Sequence, residues 1–499
     1  MCDCACTTHA ASARTPPPTD LSMESDALLD ALRAAVGPAH VLTAADGADL
    51  VAYEQDWRRR HRGRARCVVR PANTAEVAAV VRLCAAHDVP IVPQGGNTGL
   101  VVGGVPNASG TQVVLSLQRL NRVRALDVDN LTLTVEAGCV LQAAQQAAQA
   151  AGLWLPLSLA SEGSCTIGGN LATNAGGTQV LRFGNARDLC LGLEVVTADA
   201  QIWDGLSALR KDNTGYDLRH LFIGSEGTLG IITAAVLKLF PQPAARLTAW
   251  ASVPSLAAAV ALLGLAQQAL GPALTGFEAM NAFAMQLVAR HFPALRPPLP
   301  DAAPYAVLLE VSDSESEAHA RERLHATLAD AIARGSVLDA VVAQSLAQAQ
   351  ALWHIRESIP LAQAQEGLNI KHDISVPVSR IPAFCAEAEA LLQQAVPGAR
   401  LVNFGHLGDG NLHFNVQCPP GADPAAFLAA HEAAINTLVF DTVRRYGGSI
   451  SAEHGIGGLK ADLLPRYKDA VALDLMRRLK QALDPRGLLN PGRVLTAGG

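Results

Sequence analysis

The run Asn403-Phe-Gly-His406-Leu-Gly-Asp-Gly-Asn-Leu-His413-Phe-Asn415 concentrates residues that could do chemistry. It reads as a strand, a tight turn and a second strand. Asp409-Gly410 is a two-residue hairpin signal, because both central residues of a type I′ turn need φ > 0. Folded there, Leu407 faces Leu412 and His406 faces His413, with opposed Cβ atoms roughly 4.5–5.5 Å apart. Asn415, two residues past His413, points to the same face. Two imidazoles brought together in this way suit Zn, Mn or Fe, with a carboxylate as the common third ligand. Downstream, Ser451-Ala-Glu453-His454-Gly-Ile-Gly supplies a carboxylate and a third histidine in a glycine-rich turn. Singly, a strand histidine is usually a satisfied core residue and a Glu-His turn is usually surface. The opposed pair is harder to explain that way.

Three glycine-dense loops must be positioned relative to that hairpin. They are Pro93-Gln-Gly95-Gly96-Asn97-Thr98-Gly99, Ser161 through Ile167-Gly168-Gly-Asn170-Leu-Ala-Thr173-Asn174-Ala-Gly-Gly177, and Gly224-Ser-Glu-Gly227-Thr-Leu-Gly-Ile231. Such loops let backbone N–H groups approach an anion closely, and a nucleotide pyrophosphate is the natural guess. A Rossmann dinucleotide site requires GxGxxG opening a helix, and neither of the first two loops fits that pattern. NAD on a Rossmann fold is therefore disfavoured.

The chain has 499 residues, 49% hydrophobic and 17% charged, with net charge -6. That length predicts two or three domains of an ordinary globular protein. No Lys/Arg cluster carries interleaved aromatics, so nucleic acid is not an expected partner. The basic run Arg58-Arg-Arg-His-Arg62 reads as a solvated loop or a phosphate ligand. The most apolar stretch, Leu256 to Ala266, stops at Gln267-Gln268 and reads as a helix face and not a membrane span. Ten cysteines without CxxC spacing predict reduced thiols and a cytoplasmic location.

Residues 1–22 read as a disordered tail and 23–60 as a helical lead-in. Cys67 to Pro71, Thr74 to Ala86 and Val89 to Val92 form one β-α-β unit, with Asn73 or Thr74 as N-cap. After Pro241-Gln-Pro243 strands such as Tyr305 to Val311 alternate with long helices, Ser314 to Arg334 and Phe427 to Tyr446. A domain boundary is expected near 242.

In combination, the three loops, the His-x6-His hairpin, the Glu-His turn and a terminal Asn490-Pro-Gly-Arg493 resemble the FAD-linked oxidoreductases of the vanillyl-alcohol-oxidase type. The branch is that of the D-2-hydroxyacid dehydrogenases, which contains D-lactate and D-2-hydroxyglutarate dehydrogenases. The resemblance covers about residue 45 to the end. It implies an α+β fold: a PCMH-type FAD-binding domain over 61–241 and an α+β substrate or cap domain over 242–499, whose segment 485–499 returns to the flavin. Pro93 to Gly99 would wrap the pyrophosphate. Ile167, Gly168, Asn170, Thr173 and Asn174 would line the other side, with Gly227, Ile231 and Asn490 adding contacts. The first loop offers Asn97 and Thr98 and no histidine, so the FAD is expected to be non-covalent.

The resemblance further implies that His406, His413 and Glu453 ligate a divalent ion, Zn or Mn, and that His454 is the base. Asn415 would orient substrate and Arg356 would grip its C1 carboxylate, a task suited to the planar guanidinium. Lys371 matches a position that holds a second, distal carboxylate, although Pro360 stands where such enzymes can use threonine. Ser358 would substitute only if its helix turns it inward. The implied reaction oxidises a D-2-hydroxy acid, D-2-hydroxyglutarate favoured, to the 2-oxo acid. The alternatives are a D-lactate or glycolate dehydrogenase and a flavoprotein electron-relay subunit. Expected partners are the small hydroxy acid, an electron acceptor (quinone, electron-transfer flavoprotein or cytochrome) and a second copy in a homodimer.

Overall fold

The computed structural model describes residues 21–299 and 303–496. The expected tail lies outside them up to residue 20, and the helix Leu21–Val36 opens the described chain. Leu28, Leu32 and Val36 recur every fourth residue and are buried against the first domain's core.

Asn73 caps the helix Thr74–Ala86 by accepting from the Glu76 N–H at 2.9 Å. The flanking strands are Ala65–Val69 and Ile91–Gln94, and they are not neighbours. Gln112–Ser116 lies between them, parallel to both. Its Val113, Val114 and Leu115 are fully buried, apolar on both faces, and so take the central place in the sheet. A five-stranded antiparallel sheet follows, ordered Val123–Asp127, Thr132–Glu136, Ile231–Lys238, Cys190–Val196, Ile202–Gly205. The two sheets share one apolar core that ends at Leu239 and readmits Leu489 from the C-terminal segment.

Beyond Pro241 an eight-stranded sheet builds the second domain, in the order Asp339–Val342, Ala245–Val253, Tyr305–Asp313, Leu274–Asn281, Arg400–Gly405, Asn411–Gln417, Asn369–Ile370. Asp373–Ser375 also pairs with Asn411–Gln417. One face packs on the helices Leu256–Leu270, Glu317–Ala333, Ile381–Ala395 and Pro424–Arg445. The apolar stretch at Leu256 runs on past the two glutamines, to 18 residues of mean hydropathy 1.5 ending at Ala273. Gln267 and Gln268 face solvent, while Leu256, Ala259, Leu262, Leu263, Ala266 and Leu270 pack in this core.

The histidine hairpin is wider than its sequence suggests. Phe404, not His406, opposes His413, and Asn403 opposes Phe414. Gly405 has φ 152° and Gly410 φ 87°, whereas Asp409 stays at negative φ and its carboxylate accepts the Asn411 N–H at 3.0 Å. A Cβ on Gly405 would lie 2.5 Å from Asn411 O, so the ladder opens there and releases His406 from the strand. The second glycine loop also departs from expectation: it opens a helix, Ile167–Thr173, which Thr166 caps.

Candidate active site

The cap sheet's second face carries the site. Asp373 opposes His413 in register, and side chains alternate along a strand. Lys371, Asp373, His413 and Asn415 therefore share one face, while Leu412, Phe414 and Val416 point into the helical core. His406, freed from the ladder, turns back so that its ring lies 5.9 Å from that of His413. Its Nδ1 is fixed by Glu278 Oε1 at 2.5 Å. That leaves Nε2 facing Glu453 Oε1 at 4.0 Å, and His413 Nε2 lies 3.9 Å from the same oxygen.

The ligand atoms of His406, His413 and Glu453 all lie within 4.8 Å of one another. A tetrahedral Zn at ~2.1 Å sets its ligand atoms ~3.4 Å apart, so each histidine needs to close on the Glu453 oxygen by about half an ångström. The donor set fits a divalent ion on a second count as well. A buried carboxylate behind one imidazole is the usual support of a metal-ligating histidine. The Asp373, His413 and His454 donors also meet within 4.8 Å, sharing His413 with the first group.

Glu278 was not singled out in the sequence, although a lone acid in the apolar strand Leu274–Asn281 is a usable signal. It is 1% exposed and holds Arg356 as well as His406, with Nε donating to Oε2 at 2.8 Å. Burial opposes its ionisation, but Arg356 and His406 overrule that and pull the carboxyl down to about 2. Conversely, burial disfavours charge on His406, yet Glu278 raises the imidazole to about 9. Burial takes His413 well below its ordinary value, as a neutral ligand requires. Arg356, in the last turn of the helix Leu346–Glu357, is buried and lies 5.1 Å over the Phe404 ring.

A second acid that the sequence did not mark, Asp373, organises the turn that carries Glu453 and His454. Its Oδ2 accepts the N–H groups of Ala452, Glu453 and His454 at 3.2, 3.0 and 2.9 Å, and its Oδ1 accepts from Asn411. The next amides, of Ile456 and Gly457, donate at 2.7 and 2.8 Å to Glu226, which the first domain's third glycine loop supplies. Two buried carboxylates, one from each domain, thus clamp the turn that carries Glu453 and His454. The second glycine loop reaches it too, through Gly177 N to Glu453 Oε2 at 3.0 Å. His454 Nδ1 lies 3.6 Å from Asp373, and its ring stacks on His413 at 6.0 Å.

Asn415 shares the face, but its Oδ1 accepts the His372 N–H and its Nδ2 donates to Gln363. Among the described residues no carboxylate lies within 4.0 Å of Lys371. Burial, then Arg58, lowers it to about 8. Ser358 is 2% exposed at the junction of Leu346–Glu357 with Ile359–Glu366, so its helix does turn it inward.

The three glycine loops pack against one another beside this face. A Cβ on Gly95 would stand 2.4 Å from Thr166 Oγ1, one on Gly96 2.1 Å from Ser164 O, and one on Gly227 2.5 Å from Pro93 Cγ. Among the described residues, nothing accepts from the backbone N–H groups of Gly96, Asn97, Thr98 and Gly99, leaving a row of donors suited to a pyrophosphate. Asn97, at φ 53°, ties the loop to Ala52 O and Gln55 O. Asn490 donates to both Gly103 O and Glu226 O, joining the first and third loops to the C-terminal segment. The backbone N–H groups of Ile167 and Gly168 donate to Cys139 O and Ala137 O. Thr173 Oγ1 donates to Gly169 O, Asn170 Nδ2 to Cys165 Sγ, and Asn174 Oδ1 accepts from Arg187 N. Ile231 is packed in the first core.

Two small sheets linked by glycine-rich loops, beside a large antiparallel sheet, have the architecture of a PCMH-type flavoprotein. Residues 242–494 match the C-terminal domain of FAD linked oxidases and 65–205 match the FAD binding domain. The chain belongs to the FAD-linked oxidase family and binds FAD through that domain. It is 39% identical over 498 residues to the mitochondrial D-2-hydroxyglutarate dehydrogenase of Bos taurus, covering 97% of this chain and 88% of the relative. It is 42% identical over 449 residues to the D-2-hydroxyglutarate dehydrogenase of Xanthomonas citri pv. viticola (90% and 93%). For that of Stutzerimonas stutzeri the identity is 38% over 477 residues (95% and 100%). Among solved structures, p-cresol methylhydroxylase superposes with TM-score 0.75 at 17% identity, covering 96% of this chain and 98% of its own. At that identity the likeness is one of fold.

Proposed function

We propose that the chain is an FAD-dependent dehydrogenase that oxidises D-2-hydroxyglutarate to the 2-oxo acid. The relatives' activity supports the reaction class. The observation that carries the substrate is Lys371, a half-buried ammonium on the same face as His413, with no carboxylate within 4.0 Å among the described residues. A partly buried cation of this kind is matched by a ligand with a second negative charge.

Pro93 to Gly99, Gly227 and Asn490 would hold FAD, which supplies the acceptor for the hydrogen on C2 and its electron pair. His406, His413 and Glu453 would hold a divalent ion, Zn or Mn, which supplies Lewis acidity at the 2-hydroxyl. Arg356, braced by Glu278, presents its remaining N–H groups to the C1 carboxylate. Asn415 stands beside them on the same face. Asp373 faces Nδ1 of His454, so the opposite nitrogen, Nε2, takes the hydroxyl proton. Loss of that proton and of the C2 hydrogen leaves the 2-oxo acid. Reoxidation falls to a quinone, an electron-transfer flavoprotein or a cytochrome, and a homodimer is compatible with this scheme. Burial raises the thiols of Cys67 and Cys190 to about 12, and the described cysteines are unpaired, which supports a reducing, cytoplasm-like compartment.

The test is anaerobic mixing of the purified flavoprotein with D-2-hydroxyglutarate or D-lactate while following oxidised-flavin absorbance. Bleaching by the dicarboxylate at much lower concentration is expected. Preference for D-lactate would make Lys371 incidental, and no bleaching by either would favour an electron-relay subunit.

A further inference from the structure

The basic run at the end of the lead-in has one member whose charge the protein leaves unmatched. Arg60 pairs with Glu432 at 3.1 Å and Arg62 with Glu54 at 3.2 Å, while Arg59 is exposed. Arg58 turns inward. Its Nη2 donates to Leu100 O at 3.1 Å, its Nε is buried with no partner, and among the described residues no carboxylate lies within 4.0 Å. The acids nearest to it are otherwise occupied. Asp56 accepts the backbone N–H groups of Arg58, Arg60 and His61, and Glu432 takes Arg60.

Neighbouring contacts bring the segments that carry Arg58 and Lys371 onto one helix. Arg60 bonds Glu432, and His372 Nε2 meets Asn436 Oδ1 at 2.9 Å. Glu432 and Asn436 are one turn apart on the helix Pro424–Arg445, so both segments dock on the same stretch of that helix. Leu100, which accepts from Arg58, adjoins Val101, whose carbonyl takes the N–H of Gly458 just after the catalytic turn. Arg58 is lowered chiefly by burial, and Lys371 by burial and then by Arg58. The third cation here, Lys460, donates from Nζ to Ile450 O at 2.7 Å, and the charges of Asp373 and Glu226 favour its ammonium form.

We propose that Arg58 is the second half of a distal-carboxylate pocket, gripping with Lys371 the far end of a five-carbon dicarboxylate whose near end Arg356 holds. The inference rests on the D-2-hydroxy-acid reading above. Arg58 comes from the lead-in and Lys371 from the cap sheet, so the bound dicarboxylate bridges the two domains.

The experiment compares wild type, Arg58→Met and Arg58→Lys in two measurements. One is flavin reduction by D-2-hydroxyglutarate against D-2-hydroxyvalerate, a five-carbon acid ending in methyl. The other is calorimetric binding of glutarate. In Arg58→Met, KM for the dicarboxylate and Kd for glutarate should rise about 10–100-fold, the loss expected for a charge-assisted hydrogen bond. The maximal rate and the KM for D-2-hydroxyvalerate should hold. Arg58→Lys should fall between wild type and Arg58→Met. Equal losses on both substrates, or unchanged dicarboxylate KM and glutarate affinity, overturn the proposal. If Arg58→Met loses FAD, Arg58→Lys alone decides, by raising KM for the dicarboxylate only. Should wild type not be reduced by D-2-hydroxyglutarate, the functional reading falls, while the glutarate titration still decides Arg58.

Discussion

Asp373 and His454 are joined twice: Oδ2 accepts the His454 N–H at 2.9 Å and lies 3.6 Å from the ring's Nδ1. One carboxylate thus sets both the backbone and the ring of the proposed base. Asp373→Asn keeps the shape but replaces one acceptor oxygen with a donor, which must then face either the three turn amides or the Asn411 amide. Flavin reduction by substrate should slow about 10–100-fold with FAD still bound at the wild-type ratio. A wild-type rate measured by anaerobic stopped-flow would remove Asp373 from this role.

Glu278 braces His406 and Arg356 together, and Glu278→Gln leaves a buried guanidinium without its counter-ion. Breaking a buried pair from one side costs about 3–5 kcal/mol, so the melting temperature should fall. Metal retention against a chelator should weaken about 10–100-fold, checked by elemental analysis after dialysis. Metal content equal to wild type would separate Glu278 from the ion.

Lys371 titrates within reach of ordinary buffers, at about 8. Below that value the ammonium attracts a second carboxylate, and above it the side chain is neutral. KM for D-2-hydroxyglutarate should therefore rise as pH passes upward through about 8, while KM for D-lactate should not follow it. Parallel profiles for the two substrates would mean that Lys371 does not read the distal group.

The first glycine loop presents Asn97 and Thr98, neither able to tether a flavin as a histidine can. Acid precipitation should release all the yellow chromophore into the supernatant. Flavin remaining in the washed pellet would contradict non-covalent FAD.

Local chemistry determined much of the fold without help. Asn73 before Thr74 and Glu76 set a helix end, the glycine loops were legible as nucleotide loops, and spacing alone brought His406 and His413 into view. Those features depend on neighbours in the chain, where capping, periodicity and turn residues act. Distant contacts decided the rest. The hairpin widened because Gly405 and Gly410 pack against Asn411 O and Val376 O, an approach with no signature in Asp409-Gly410 itself. The parallel strand Gln112–Ser116 entered between two strands that read as neighbours, because only the sheet reveals which strand is buried on both faces. Glu278, Asp373 and Glu226 look like ordinary acids along the chain. Their roles arise where 128 residues separate Glu278 from His406, and 231 separate Glu226 from Gly457, distances that only packing can close.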